Sequence, residues 1–352
     1  MKFLLLTIIL ISTAYSHELY LVTSHTPHDL NDLKKYTQII KNNGRVIIVK
    51  KKKNQIPDHL KLILRKIDLS EAANIRPVRK QNLSPDKRLQ KILSNINKVE
   101  IEAIVSKFSS YRTRSSGSKE NNDVTKAIAN EFKSFGLSVN IDCFKDRVCN
   151  VYGISKGSNS KKPQIIVEAH FDSVGYRYAG ADDNASGIAG LLLIAREISK
   201  LPHSKSIMFF ATNAEEKGLL GAKHLVRKLD AKNELKTVEF VLNMDMIGFN
   251  KKNNLIDIET NKEFESYARW MSDLVYLYTS LTPNITMPAW GSDHVPFLKM
   301  NVPSILTIEH WNTKTPCYHK LCDKPDHLTY DYAAEIVKLN IAAIYLKSVI
   351  SK

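Results

Sequence analysis

Three apolar segments constrain this chain more than anything else in it: QIIVEA (164–169), SIMFFAT (206–212) and EFVLNMDMIG (239–248). Each is followed or ended by ionisable residues, and stretches of helical period separate them: SGIAGLLLIAREISK (186–200) after the first, and a run through AEEKGLLGAKHLVRK (214–228) after the second. A strand that reads as continuously apolar is buried on both faces. Its alternation with helices predicts a central, largely parallel sheet covered on both sides. Around this core, helices are expected at 97–108, 121–135 (closed by Gly136) and from Tyr332 onward, with strands at 137–142, 148–154 and 304–310. At 352 residues and 43% hydrophobic, the chain is long enough to bury such a core.

In open sheets of this kind the functional crevice lies beyond the carboxyl ends of the strands. The polar residues fall there. His170 and Asp172 follow the first segment, Glu215 and Glu216 the second, and Asp245 lies toward the end of the third. Asp183 sits in GADDNASG (180–187), the loop between the first strand and its helix. One histidine at a strand end is ordinarily structural, and one acidic pair is ordinarily solvated. Together they form a group of carboxylates that repel and desolvate badly unless a cation neutralises them. Oxygen ligands alone would suit magnesium or calcium. Imidazole mixed with carboxylate favours zinc, with cobalt or manganese acceptable.

The segments EAHFDSVG, GADDNASGIAGLLLIARE, ATNAEEKGLLGAKHL, LNMDMIG, GSDHVPF and CYHKLCD follow one another as in the M28 family of di-zinc peptidases, and the chain resembles its secreted bacterial leucyl aminopeptidases. The resemblance covers roughly residues 97–350. It implies an α/β zinc-exopeptidase (phosphorylase/hydrolase-like) fold, a mixed, mostly parallel sheet of about eight strands between helices, with a small N-terminal α+β pro-region outside the match. It implies two zinc ions, with His170 and Asp245 on one, Glu216 and His319 on the other, and Asp183 bridging both. A cis peptide between Asp183 and Asn184 is part of the same pattern.

By the same resemblance Glu215 is the general base. It takes a proton from a water held between the metals and passes it to the leaving amine. Asp172, two residues after His170, is placed to hold that imidazole in its metal-binding tautomer, and Asp293 of GSDH to act behind the ligands. Spacing alone does not rank His319 above His294, His310 and His327; the YHK context selects it. One departure stands out. The family's best-known member has a tyrosine near the serine-aspartate motif that polarises the substrate carbonyl, where this chain has Ala289, Trp290 and Gly291.

The N-terminus MKFLLLTIILISTAYS reads as a signal peptide over 1–16. Residues 17–85 read as a pro-region, with a strand at 18–24, a helix at 26–44 and a second strand at 45–50, and residues 86–352 as the peptidase domain. Residues 1–100 carry 19 Lys and Arg against 8 Asp and Glu, a surplus of 11 out of the net +15. This basic segment could cover an acidic cleft until removed, which would make the exported chain a zymogen. No aromatic interleaving or zinc finger accompanies the charge, so nucleic acid is not an expected partner. The four cysteines allow three pairings, and the spacings in CFKDRVC and CYHKLC favour two local bridges. No segment is apolar for the roughly 20 residues a membrane-spanning helix needs.

The leading functional reading is therefore an exported zinc aminopeptidase, secreted or periplasmic and monomeric, acting on peptide or protein N-termini with apolar, leucine-like first residues. The alternatives are a glutaminyl cyclase-type acyltransferase, an M28 carboxypeptidase and a non-catalytic binding ectodomain. Cyclases of this fold lack the first metal histidine and non-catalytic relatives lose ligands, so His170 and the complete ligand set count against both.

Overall fold

The computed structural model describes residues 19–22, 35–42, 47–51, 64–66, 85–159, 162–251 and 254–349. The chain divides into two compact units, Met1–Arg79 and Lys80–Lys352. The signal-peptide segment lies outside the described residues.

In the first unit, β1 (Leu19–Val22), β2 (Thr37–Asn42), β3 (Ile47–Lys51) and β4 (Leu64–Lys66) form an antiparallel sheet in the order β2-β3-β1-β4. This corrects the helix expected over 26–44. Among the described residues of that stretch only Lys35 and Tyr36 are helical, and Thr37–Asn42 pairs with β3. The β-branched Thr37, Ile39 and Ile40 prefer extended backbone, and a strand partner outweighs the helical spacing of their neighbours.

The second unit is an eight-stranded mixed sheet between helices. Its strands are β5 (Ser138–Lys145), β6 (Val148–Ser155), β7 (Pro163–His170), β8 (Ser206–Thr212), β9 (Phe240–Met244), β10 (Leu255–Glu259), β11 (Thr282–Thr286) and β12 (Ser304–Glu309), in the order β11-β10-β12-β9-β7-β8-β6-β5. The centre is parallel: β7 pairs with β8 and with β9, and β9 with β12. Antiparallel pairings flank it on either side, β6 with β8 and β10 with β12. Among the described residues eight α-helices surround the sheet: α1 (Lys87–Leu93), α2 (Lys98–Ser109), α3 (Lys119–Ser134), α4 (Gly187–Ser199), α5 (Leu220–Ala231), α6 (Glu265–Tyr278), α7 (His294–Lys299) and α8 (Tyr330–Ser348).

Local chemistry sets these elements. Asn97 and Ser118 cap α2 and α3 by accepting the backbone N–H groups of Glu100 and Asn121 at 3.1 and 3.0 Å. Gly136, in the left-handed region at φ +78°, ends α3 as expected. The two core layers follow strand alternation. Ile165, Val167 and Ala169 belong to the larger core, with Ile188, Leu191 and Ile194 of α4 and Ile336 and Val337 of α8. Ile166 belongs to the opposite layer, with Leu225 and Leu229 of α5 and Phe297 of α7. At roughly 1.5–3 kcal/mol per fully buried aliphatic side chain, these layers hold the central strands in place. The carboxyl ends of β7, β8 and β9 thereby become fixed points.

Candidate metal centre

His170 is the last residue of β7, and Asp245 follows the last residue of β9 directly. Asp183 lies in the kinked turn Ala181–Ser186 that leads into α4, with non-helical backbone at φ −104° and ψ 88°, and its peptide bond to Asn184 is cis. Glu215 and Glu216 lie between β8 and α5. His319, at φ +54°, is enclosed by a disulfide between Cys317 and Cys322. The other bridge joins Cys143 to Cys149 across the β5–β6 hairpin, so both local pairings hold and no cysteine is free.

These residues meet. His170 Nε2 stands 3.3 Å from Asp183 Oδ1 and 3.3 Å from Asp245 Oδ1. His319 Nε2 stands 3.1 Å from Asp183 Oδ2 and 3.0 Å from Glu216 Oε2. The two oxygens of Asp183 thus face different histidines. The ligand atoms form two sets that share Asp183, His170–Asp183–Asp245 and Asp183–Glu216–His319, each with its atoms within 4.8 Å of one another. Glu216 Oε1 is buried without a hydrogen-bond partner. Two imidazoles, three carboxylates and an orphaned carboxylate oxygen are a donor set that fits borderline divalent cations such as zinc.

The surroundings hold the set in place. Ser292 Oγ donates to Asp245 Oδ2 at 2.8 Å. Asp172 is fully buried, and its two oxygens accept the N–H groups of Glu215 and Glu216 at 3.1 and 3.3 Å. His170 Nδ1 lies closer to the Asp172 carbonyl, at 3.2 Å, than to its carboxylate, at 3.6 Å. The imidazole is therefore oriented mainly by the Asp172 backbone, while the carboxylate fixes the turn carrying the two glutamates. Asp182 does not point into the centre. Its Oδ1 accepts from Gly248 N at 2.8 Å and Ser186 Oγ at 3.3 Å, and burial together with nearby Asp323 pushes its carboxyl up to about 8. Asp293 is buried against Thr212, whose hydroxyl donates to it. His294 is fully buried and His310 pairs with Asp257 at 2.7 Å, so both are packed polar residues away from the two sets.

Charge is strained where the acids crowd. Burial drives the Glu215 carboxyl well above its ordinary range; His170 opposes this, and Asp245, Asp293 and Glu216 add to it. Burial and Asp183 push Glu216 up to about 7. Burial works against charge on His319, yet hydrogen bonds with Asp183 and Glu216 carry it up to about 10.

Tyr318 was missed by sequence reasoning, although it stands in the YHK segment that singled out His319. Its ring stacks on His319 at 3.9 Å between centroids and meets Trp311 edge-on at 5.3 Å. Burial, with Asp183, Asp245, Glu216 and Glu215 close by, keeps its hydroxyl protonated. No periodicity signals such a placement.

The sequence model of peptidase family M28 matches residues 150–344, more than half of the chain. The chain belongs to peptidase family M28. It is 35% identical over 208 residues to aminopeptidase YwaD of Bacillus subtilis, a stretch covering 56% of this chain and 44% of that protein. The chain thus matches less than half the length of that M28 relative. Among solved structures, the LapA aminopeptidase of Legionella pneumophila superposes with a TM-score of 0.70 at 20% identity, covering 95% of this chain and 99% of that one. BSAP, a zinc aminopeptidase from Bacillus subtilis, does so at 0.64 and 19%, covering 73% and 96%. These two show the M28 fold, a mixed eight-stranded sheet flanked by helices. Among the described residues no helix is long and apolar enough to cross a membrane.

Proposed function

We propose that this chain is an exported metallo-aminopeptidase that holds two zinc ions, one on His170, Asp183 and Asp245 and one on Asp183, Glu216 and His319, and removes an apolar, leucine-like residue from the N-terminus of peptides. The observation that carries the proposal is the division of the two Asp183 oxygens between two histidine-acid sets. The similarity to YwaD and to BSAP supports aminopeptidase chemistry and zinc.

When bound, the zinc ions lower the pKa of a water toward neutrality and polarise the scissile carbonyl. Glu215 is the general base. Its buried carboxyl, raised in pKa, accepts a proton from the attacking water and delivers it to the amine nitrogen as the peptide C–N bond breaks. Asp172 positions Glu215 through the backbone. The Tyr318 hydroxyl, kept neutral, donates to the carbonyl oxygen as it gains charge, a role the segment Ala289–Gly291 does not fill.

Release of amino-acid anilides, with and without a chelator, tests this reading. Glu215→Gln is expected to lower kcat by about a hundred- to ten-thousandfold while both zinc ions stay bound. Unchanged turnover in that variant ends the assignment of the base. We further propose that residues 1–16 direct export, that residues 17–85 act as a pro-region of a monomeric zymogen, and that the four cysteines fit an oxidising compartment. Equal activity before and after limited proteolysis would exclude inhibition by the pro-region.

A further inference from the structure

The turn that delivers Asp183 is gripped by two buried charged side chains that have no place in the chemistry above. Arg114, between α2 and α3, is 1% exposed, and its guanidinium makes no ion pair among the described residues. All its side-chain bonds go to carbonyls: Nε to Phe171 O at 2.8 Å, Nη1 to Phe108 O at 3.1 Å and to Ala179 O, and Nη2 to Gly180 O at 2.7 Å. Asp323, directly after Cys322, works from the other side. Its Oδ1 accepts Asp182 N at 2.8 Å and its Oδ2 accepts Asp183 N at 3.1 Å, while its carbonyl accepts Ala181 N at 3.4 Å.

The backbone from 179 to 183 therefore has its first two carbonyls held by a cation and its next three amides held by one aspartate. Gly180, at φ +57°, makes the turn between them, and a Cβ there would lie 2.4 Å from the Asp183 carbonyl oxygen. A buried guanidinium is costly to desolvate unless its fork is matched by acceptors. Here the acceptors are the loop itself, so that cost is balanced only while the turn keeps its shape.

We propose that Arg114 and Asp323 are positioning residues that clamp the 179–183 turn from its two sides and so set the Asp183 carboxylate between His170 and His319. The clamp rests on the zinc assignment above. It also joins the halves of the centre, because Asp323 follows the disulfide loop that carries His319 and Arg114 grips Phe171, next to His170.

The test measures zinc dissociation constants of the metal-free full-length protein by competition with a chromophoric chelator, together with its Tm without metal. In Asp323→Asn one amide of the turn meets an NH2 group instead of an acceptor, and in Arg114→Lys a point charge replaces the fork. Each is expected to weaken zinc binding by about ten- to hundredfold, and kcat to fall more than KM rises. Ser155→Ala, which removes a buried contact to His203 away from the centre, is expected to lower Tm and leave both zinc constants unchanged. Folded Arg114 and Asp323 variants that bind both equivalents as the wild type does would overturn the clamp, whatever their Tm. A wild type that binds no zinc would instead remove the reading on which it rests. Should Arg114→Lys fail to fold, Asp323→Asn decides alone.

Discussion

The two halves of the centre are built differently. His170 and Asp245 stand at the ends of adjacent parallel strands, with side chains 1% and 10% exposed. Glu216 is as buried, at 5%, but its partner His319 is 37% exposed and comes from an irregular loop. The first half is fixed by the core, because moving either residue means moving a strand packed on both faces. The second half depends on devices close to His319 itself: a disulfide, the stacked Tyr318 and the aspartate that follows. A centre of this kind has one rigid wall and one assembled wall, and the assembled wall opens at lower cost.

The largest test of that contrast exchanges the two histidines. His170→Ala and His319→Ala are each expected to lose one zinc equivalent and to cost several kcal/mol of transition-state stabilisation, about a thousandfold in kcat/KM. The contrast itself appears in how the wild type yields to a chelator. The equivalent lost in His319→Ala should leave the wild-type protein first, and the one lost in His170→Ala last. Simultaneous loss, or the reverse order, would show that the halves are equally firm.

The same division explains what could be read from the sequence. The strand-end residues were legible because β7, β8 and β9 are dominated by apolar residues, so the ionisable residues at or just beyond their ends stand out. The edge was not. Leu255–Glu259 forms β10 although two of its five residues are acids. The structure pairs Asp257 with His310 and with the backbone N–H of Trp311, and Glu259 with that of Trp290; such partners are distant in sequence and cannot be seen in it. Arg114 and Asp323 were hidden likewise. Arg114 carries no signal in TRSSGS and Asp323 only closes the segment CYHKLCD, and only three-dimensional closure shows that one guanidinium and one carboxylate hold the turn between them.

The two disulfides separate stability from positioning. Their loops are of similar size, with sequence separations of 6 and 5. Chain-entropy reasoning gives each roughly 2 kcal/mol. Replacing either pair by serine should therefore lower stability by similar amounts. Only the Cys317/Cys322 double variant is expected to weaken the His319-side zinc as well, by about tenfold, measured on the metal-free protein by chelator competition. Equal zinc constants in the two double variants would mean that the bridge contributes nothing to the assembled wall beyond stability.

The smallest effect concerns protons, and it singles out the assembled wall. In the metal-free protein burial disfavours the His319 imidazolium, but hydrogen bonds with Asp183 and Glu216 raise it from the ordinary 6.5 to about 10. A raised folded-state value stabilises the metal-free fold fully below about pH 6.5, and this contribution disappears as pH climbs through about 10. At pH 7 His319 is therefore protonated and must shed its proton before its nitrogen can serve a metal. Zinc affinity on that side should rise with pH up to about 10. Calorimetric titration in two buffers of different protonation enthalpy should show proton release as that site fills, about one proton from His319 and a fraction from Glu216, whose carboxyl is pushed up to about 7. The same titration of His319→Ala should lose the His319 proton along with the zinc equivalent. A wild type that releases no more than the Glu216 fraction at pH 7 would mean that the loop presents His319 already neutral, and that the second wall is as prearranged as the first.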